Sequence, residues 1–327
     1  MTQVNISPSI HTLESGFDLT YFATGNFTSW YKDFNLNFPK IAYAARINIL
    51  SAIKAAGSGH IGTSFSSIES ILVSRKLLSE WKFTEPELET IFFSSKGHDA
   101  PAIYAAMHAE GEINDDLLFR LRRMGGLPGH PEIDTPGIPT NTGSLGMGIS
   151  KAKGFVYANR LRNVESRVIV ILGDGELQEG QIWESLPGAS RDKMGGLIAI
   201  VDGNKIQSDT WVEMTLPLGD LQKRVEGSGW RYLECDGHEY ASLKKAFDEV
   251  GREGSKPVFL YAHTKKSSGV SFMEDFDPEG LFYKFHSGSP SDEEYAEAAK
   301  ELILKLNLEL PSSLPTIDDA RIRSSND

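Results

Sequence analysis

The chain has 327 residues, 40% of them hydrophobic, enough for a sizeable core in one large domain or two modest ones. Acids outnumber bases 45 to 33, for a formal net charge of −12. That balance excludes the basic face a nucleic acid or an anionic membrane would need, so any anionic ligand must be held locally.

The single cysteine, Cys235, rules out an intrachain disulfide and fits a reducing, cytoplasmic setting. The first twenty residues have no basic segment followed by an apolar run and do not read as a signal peptide. Residues 1–35 mix polar and aromatic types without a clear period and read as an N-terminal extension over the surface. IAYAARINILSAIK, from Ile41, has helical apolar spacing. GSGHIGTSFS reads as a loop entering a second helix, SSIESILVSRKLLSEW. Ile91–Ser94 reads as a short strand, followed by KGHD and a helix, APAIYAAMHAEG. Residues 114–123 read as helical, with Arg122-Arg123 on a solvated face or at a phosphate. A long Gly/Pro loop then leads to a helix, GISKAKGFVYANRL. RVIVIL and LIAIVD are strands joined by a motif loop and a helix through Trp183. RYLECDG, EYASLKKAFDEVGREG and PVFLYAHT follow as strand, helix and strand. The longest apolar runs are strand-sized, so no membrane span is expected. Residues 36–290 thus read as one domain. Residues 291–327 read as an acidic-to-amphipathic helix followed by a Pro/Ser/Asp tail expected to be disordered.

Helices alternating with continuous apolar strands predict an α/β fold, doubly wound, with a mainly parallel sheet and helices on both faces. Ligands in such folds sit beyond the carboxyl ends of the strands. Asp174, in Gly173-Asp174-Gly175, and Asn204 both stand there, 204 − 174 = 30 residues apart, about one β-α-β unit. A carboxylate and an amide oxygen suit a hard cation, Mg²⁺ or Ca²⁺, with phosphate oxygens completing its coordination. Gly175 allows close backbone approach to a phosphate, and the helix start after it offers free N–H donors. Gly-Asp-Gly alone is common in loops; the apolar strand before each polar residue is what gives the pair weight. Four of the eight histidines, His60, His98, His130 and His286, lie in Gly-rich loops. Four such residues argue for convergence on a polar ligand, and imidazole suits proton transfer near neutral pH.

GDGELQEGQIWE, from Gly173, followed by LIAIVDGNKI, from Leu197, resembles transketolase. Ser58-Gly59-His60, Ser95-Lys96-Gly97-His98, Pro128-Gly129-His130-Pro131-Glu132, Thr142-Gly143-Ser144-Leu145-Gly146 and Phe285-His286-Ser287-Gly288 resemble further blocks of that family, in the same order. The resemblance covers about residues 40–290. It implies the diphosphate-binding domain of the thiamine diphosphate fold, with Asp174, Asn204 and the carbonyl of Ile206 on the metal. It places His98 and His286 at the diphosphate, beside Gly175. It places His60, His130 and His286 at the reacting sugar carbons, and Gly143 and Leu145 along the aminopyrimidine and the middle of the cofactor. Glu179 resembles the family's acid near the subunit interface; otherwise it is a first-turn helix acid. His11, His108, His238 and His263 match nothing.

Transketolases carry a second domain that binds the aminopyrimidine, for which this chain has too few residues. The resemblance therefore implies the N-terminal subunit of a two-component transketolase. Its reaction would move a two-carbon ketol unit from a ketose, phosphorylated or not, to an aldose by way of thiamine diphosphate. Its partner would be the C-terminal subunit, in an α2β2 assembly. The alternatives are a subunit of another thiamine diphosphate enzyme (a 2-oxoacid dehydrogenase α chain or a deoxyxylulose-phosphate synthase relative) or an inactive regulatory subunit. Ser144, Ser208 and Ser267-Ser268 depart from the family pattern and leave the sugar open.

Overall fold

Strands β1 (Ser9–Thr12) and β2 (Asp18–Tyr21) open the chain as an antiparallel hairpin, followed by helix α1 (Thr24–Trp30). The computed structural model describes residues 7–250, 254–275 and 282–307. Helices α2 (Phe34–Ala56) and α3 (Ile61–Thr84) precede β3 (Glu89–Ser94), α4 (Ala100–Ala109) and the single turn α5 (Asp115–Leu118). Next come α6 (Gly148–Leu161), β4 (Ser166–Gly173), α7 (Gly180–Arg191) and β5 (Leu197–Gly203). A small hairpin of β6 (Ile206–Gln207) and β7 (Thr210–Trp211) leads into α8 (Val212–Thr215) and α9 (Leu221–Gly227). The chain then runs through β8 (Arg231–Asp236), α10 (Tyr240–Asp248), β9 (Val258–His263), α11 (Ser271–Glu274) and α12 (Asp292–Lys305).

Five strands form one sheet in the order β3-β4-β5-β9-β8, every neighbouring pair parallel. Successive side chains of a strand point to opposite faces, so an unbroken apolar run must be covered twice. Ile169 and Ile171 of β4 join one buried cluster with Ile49 of α2, Ile68 of α3 and Ile103 of α4. Val168, Val170 and Leu172 join another with Val156 of α6, Leu186 of α7 and Val225 of α9. This is the doubly wound parallel arrangement that the apolar runs predict. Among the described residues no helix is long and apolar enough to cross a membrane.

Three local expectations change. Residues 9–34 do not merely wrap the surface: Phe17, Leu19, Phe22, Phe27 and Trp30 are buried in the first cluster. Tyr295 of α12 ties this segment down, its hydroxyl accepting from the Thr20 amide at 2.7 Å. Helix α3 begins at Ile61, so Thr63, Ser64 and Ser66 are helical and buried where a loop is expected. The helix expected over 114–123 stops after α5. Beyond it Leu121 bridges to Leu127 around a tight turn in which Arg122 takes φ 55° and Gly125 φ 68°. The C-terminal helix is present as α12, opened by a capping box between Ser291 and Glu294. The tail expected after it, and residues 251–253 of the predicted EYASLKKAFDEVGREG helix, lie outside the described residues.

Candidate active site

The carboxyl ends of the strands open into a cleft of about 370 Å³. Strands β4 and β5 pair with Gly173 opposite Asp202, so Asp174 and Asn204 leave the sheet side by side, as their spacing predicts. Asp174 is buried. Its Oδ1 accepts from Gly175 N at 2.8 Å, and its Oδ2 accepts from the Lys205 amide. A Cβ on Gly175 would lie 2.6 Å from the Cβ of Gln207, so only glycine lets the two loops approach this closely. Asn204 Oδ1 accepts from Ile206 N at 3.0 Å.

Beneath this pair lies a hub that the sequence reading missed. Asp202 Oδ2 accepts from Lys96 Nζ at 2.6 Å, Ser66 Oγ at 2.7 Å and the Asn204 amide at 3.0 Å. Its Oδ1 accepts from Thr264 Oγ1 at 2.5 Å. Lys96 also donates to Thr63 Oγ1 at 2.8 Å, which explains the hydroxyl residues of α3's first turns. Burial alone would neutralise both Lys96 and Asp202, but their pairing prevails: the lysine lies above its ordinary pKa and the aspartate below.

Burial, reinforced by the nearby Asp202 charge, pushes the Asp174 carboxyl up to about 7. A cation would hold it ionised. Asp174, Asn204 Oδ1 and the Ile206 carbonyl are all oxygen donors, the kind a hard cation prefers. The region already gathers oxygens around a positive charge: Lys266 Nζ donates to the carbonyls of Ile206 at 3.1 Å and Ser208 at 3.0 Å. Burial lowers Lys266 to about 8. The donor set therefore fits Mg²⁺ or Ca²⁺. Among the described residues no cluster of three or more His, Cys, Asp or Glu side chains could hold a metal instead.

All four loop histidines meet here. The His60 ring centroid lies 5.4 Å from that of His98, 6.3 Å from His130 and 5.3 Å from His286, and His98 lies 6.0 Å from His286. Burial lowers each of them. It takes His60 to about 3, helped by His286 and Arg122, and His286 to about 4, helped by Lys266. His98 is lowered by burial and Lys96, and His130 by burial and Arg122. The cluster is therefore uncharged at neutral pH. Gly143 takes φ +100°, and a Cβ there would meet His130 Cδ2 at 3.0 Å.

Glu176, also missed, fastens the loops together. Its buried carboxylate accepts from Gly146 N at 2.8 Å, Gly173 N at 3.1 Å and the Ser95 hydroxyl, and burial raises its pKa. Leu145 lines the cleft with 41% of its surface exposed, and Glu179 stands exposed at the rim as N-cap of α7 without a side-chain cap bond. Of the departing serines, Ser208 lines the cleft, Ser144 is exposed, and Ser267 is buried and hydrogen-bonded to the Tyr283 hydroxyl. The other histidines have partners elsewhere: His11 stacks on Phe119, His108 bonds Asp115, His238 accepts from Lys265 N, and His263 meets Glu234.

The family model described as "Transketolase, thiamine diphosphate binding domain" matches residues 39–277. An apulose-4-phosphate transketolase subunit of Phocaeicola vulgatus is 32% identical over 260 residues, covering 79% of this chain and 90% of the relative. The 6-deoxy-6-sulfo-D-fructose transketolase subunit SqwG of a Clostridium strain is 35% identical over 234 residues, covering 69% of this chain and 83% of the relative. The crystal structure of transketolase from Campylobacter jejuni superposes with a TM-score of 0.69 at 25% identity, covering 87% of this chain but only 45% of that one. With most of its length matched by the family model and by relatives above 30% identity, the chain belongs to the transketolase family and corresponds to its thiamine diphosphate binding domain.

Proposed function

We propose that the chain is the N-terminal, cofactor-binding subunit of a two-component transketolase, moving a two-carbon ketol unit from a ketose or ketose phosphate to an aldose. The observation that carries this reading is the convergence of His60, His98, His130 and His286 on the cleft lined by Asp174 and Asn204. The two relatives that are themselves subunits, matched over most of their length, support a chain that works as half of an enzyme.

Asp174, Asn204 and the Ile206 carbonyl would hold Mg²⁺ or Ca²⁺, and Gly175, His98, His286 and Lys266 would face the diphosphate. Thiamine diphosphate, when bound, supplies the electron sink for breaking and making the carbon–carbon bond. The protein's part is to orient the sugar and move protons at its hydroxyls. His60 and His130, uncharged at neutral pH, can accept or return such protons. Gly143 and Leu145 would line the aminopyrimidine side, and Leu145, left exposed, suits a surface that a partner covers. Glu179 at the rim would face a subunit contact. A two-fold assembly of two such chains with two C-terminal subunits suits a cofactor bound between domains.

The test is a ketol-transfer assay with saturating thiamine diphosphate and Mg²⁺, with solution mass measured in parallel. The purified chain alone should be inactive, and activity should appear on adding a chain with the second half of transketolase. Full turnover by the chain alone would overturn the two-component reading.

A further inference from the structure

Asp236-Gly237-His238, at the carboxyl end of β8, forms a turn whose residues take no part in the proposed chemistry, yet each of them is engaged. Asp236 Oδ1 accepts from the His238 amide at 2.8 Å and closes the turn. A Cβ on Gly237 would lie 2.5 Å from Thr264 Cγ2, so glycine lets the turn press against the segment leaving β9. His238 Nε2 then accepts from the Lys265 amide at 2.8 Å. That amide lies just past the sheet, one residue beyond Thr264 N, which donates to the Gly203 carbonyl at 3.4 Å. An amide N–H can only donate, so Nε2 is the bare nitrogen of a neutral ring and the proton sits on Nδ1. Nδ1 lies 3.3 Å from Glu69 Oε2 of α3. Burial alone would raise the Glu69 carboxyl, but His238 and Arg46, whose Nη2 donates to Oε2 at 2.8 Å, hold it below the ordinary carboxylate range. An ionised carboxylate facing Nδ1 favours the very tautomer that the Lys265 amide needs.

The segment held in this way reaches into the cleft. Thr264, one residue before Lys265, donates Oγ1 at 2.5 Å to Asp202, the carboxylate that also pairs with Lys96. Lys266, one residue after, donates Nζ to the carbonyls of Ile206 and Ser208 and lies 3.4 Å from His286 Nδ1. The two side chains thus leave the backbone on either side of the one amide that His238 holds. Ser267 N fastens the far end of the segment to the Gly62 carbonyl at 3.0 Å. Without the imidazole, the Lys265 amide has no partner among the described residues, and Thr264 and Lys266 can shift together. We propose that His238, its tautomer set by Glu69, is a positioning residue that keeps Thr264 on the Asp202 hub and Lys266 on the Ile206 carbonyl. Its consequence for cofactor affinity rests on the transketolase reading, in which Lys266 faces the diphosphate; the backbone restraint itself does not.

The experiment compares wild type with His238→Phe, which keeps the bulk of the ring but neither nitrogen, and His238→Gln, whose carboxamide offers an acceptor to Lys265 and a donor to Glu69. Amide hydrogen exchange of the full chain, read by mass spectrometry, follows the peptide covering residues 264–268. In His238→Phe that peptide should exchange about two- to tenfold faster, the range one hydrogen bond supplies, while β4 keeps its wild-type rate. His238→Gln should restore most of the protection. In the assembled enzyme with saturating Mg²⁺, thiamine diphosphate should bind the His238→Phe form about tenfold more weakly, the loss usual for a group that supports a ligand contact, and the His238→Gln form nearly as tightly as wild type. Unchanged exchange in His238→Phe, or a His238→Phe enzyme that binds the cofactor as tightly as wild type, would overturn the proposal. Acceleration spread evenly over the sheet, with a matching fall in Tm, would make His238 a general support of the fold and overturn it too. If His238→Phe does not fold, His238→Asn, too short to reach the Lys265 amide, takes the same measurements. A wild-type enzyme that takes up no thiamine diphosphate would remove the transketolase reading and leave the exchange of residues 264–268 to decide this inference.

Discussion

The same parallel strands have a cavity at each end, and the hollow at the end with less chemistry is larger than the histidine-lined cleft. At the amino ends of β4 and β5 a hollow of about 460 Å³ is lined by Arg160, Asn163, Glu165, Arg167, Lys193 and glycines. At the carboxyl ends the cleft measures about 370 Å³. Volume therefore does not separate them; buried charge does. The amino end shows exposed Arg160, Glu165 and Lys193, which keep their water. The carboxyl end buries Lys96, Asp174, Glu176, Asp202 and Lys266, each of which must find a partner or change its charge. Ionisable groups are rarely buried without purpose, so the energetically costly end is the functional one.

The largest expected effect breaks this contrast at the proposed metal site. Asp174→Ala should abolish Mg²⁺-dependent thiamine diphosphate binding by the assembled enzyme, while Arg160→Ala at the other end leaves it unchanged. Cofactor titration measures both, and an unchanged affinity in Asp174→Ala would remove the metal assignment. Next in size is the hidden ion pair. Lys96→Met strands Asp202 as a buried lone charge and should cost about 3–5 kcal/mol in urea unfolding. Lys193→Met, at the exposed end, should stay within about 0.5 kcal/mol. Similar losses from both would mean the two ends do not differ in the way proposed.

How much of this was legible follows from how local each signal is. The strands stand out because continuous apolar runs need no partner to be recognised. The step from Asp174 to Asn204 is readable because one β-α-β unit has a nearly fixed length. The four histidines are readable because each sits in its own Gly-rich loop. The hub around Asp202 is not: Lys96 lies 106 residues away from it in sequence, and only the folded sheet brings them together. Thr63 and Ser66 read as a loop because hydroxyl side chains compete with the helical backbone. Their hydroxyls are instead taken up by Lys96 and Asp202. The aromatic residues of 9–34 show no period because two short strands and one short helix contribute a few buried side chains each.

Within the carboxyl-end cleft the histidines divide by position. His98 adjoins Lys96, its Nδ1 lying 3.1 Å from the Lys96 carbonyl, and the proposed function turns it to the diphosphate. His130 stands against Gly143, and the proposed function turns it to the sugar. His130→Ala should lower turnover about a hundredfold, the low end for losing a positioned acid–base group, with a smaller effect on cofactor affinity. His98→Ala should weaken cofactor binding first. Steady-state kinetics and cofactor titration on both variants separate the roles, and equal changes in both quantities for both variants would refute the division.

The smallest effect concerns pH and needs no partner or substrate. His60 and His286 are held at about 3 and about 4 by burial and by neighbouring positive charge, whereas an unfolded chain gives them an ordinary value near 6.5. Between those values the unfolded chain binds protons that the folded chain refuses. Stability then rises with pH across that window. The contribution of these histidines is fully present above about 6.5 and is lost as pH falls toward about 4. Asp174 works the other way. Its folded value of about 7 lies above the ordinary carboxylate range, so it lowers stability as pH rises from about 4 to 7. The two trends oppose each other in one window, and thermal melts of the wild-type chain alone would show only their difference. Melts of His60→Gln remove one histidine contribution and should show a shallower loss of Tm on acidification than wild type. An identical pH profile in the variant would mean that His60 is as free to protonate in the fold as out of it, and that the carboxyl-end cleft does not exclude positive charge as the geometry requires.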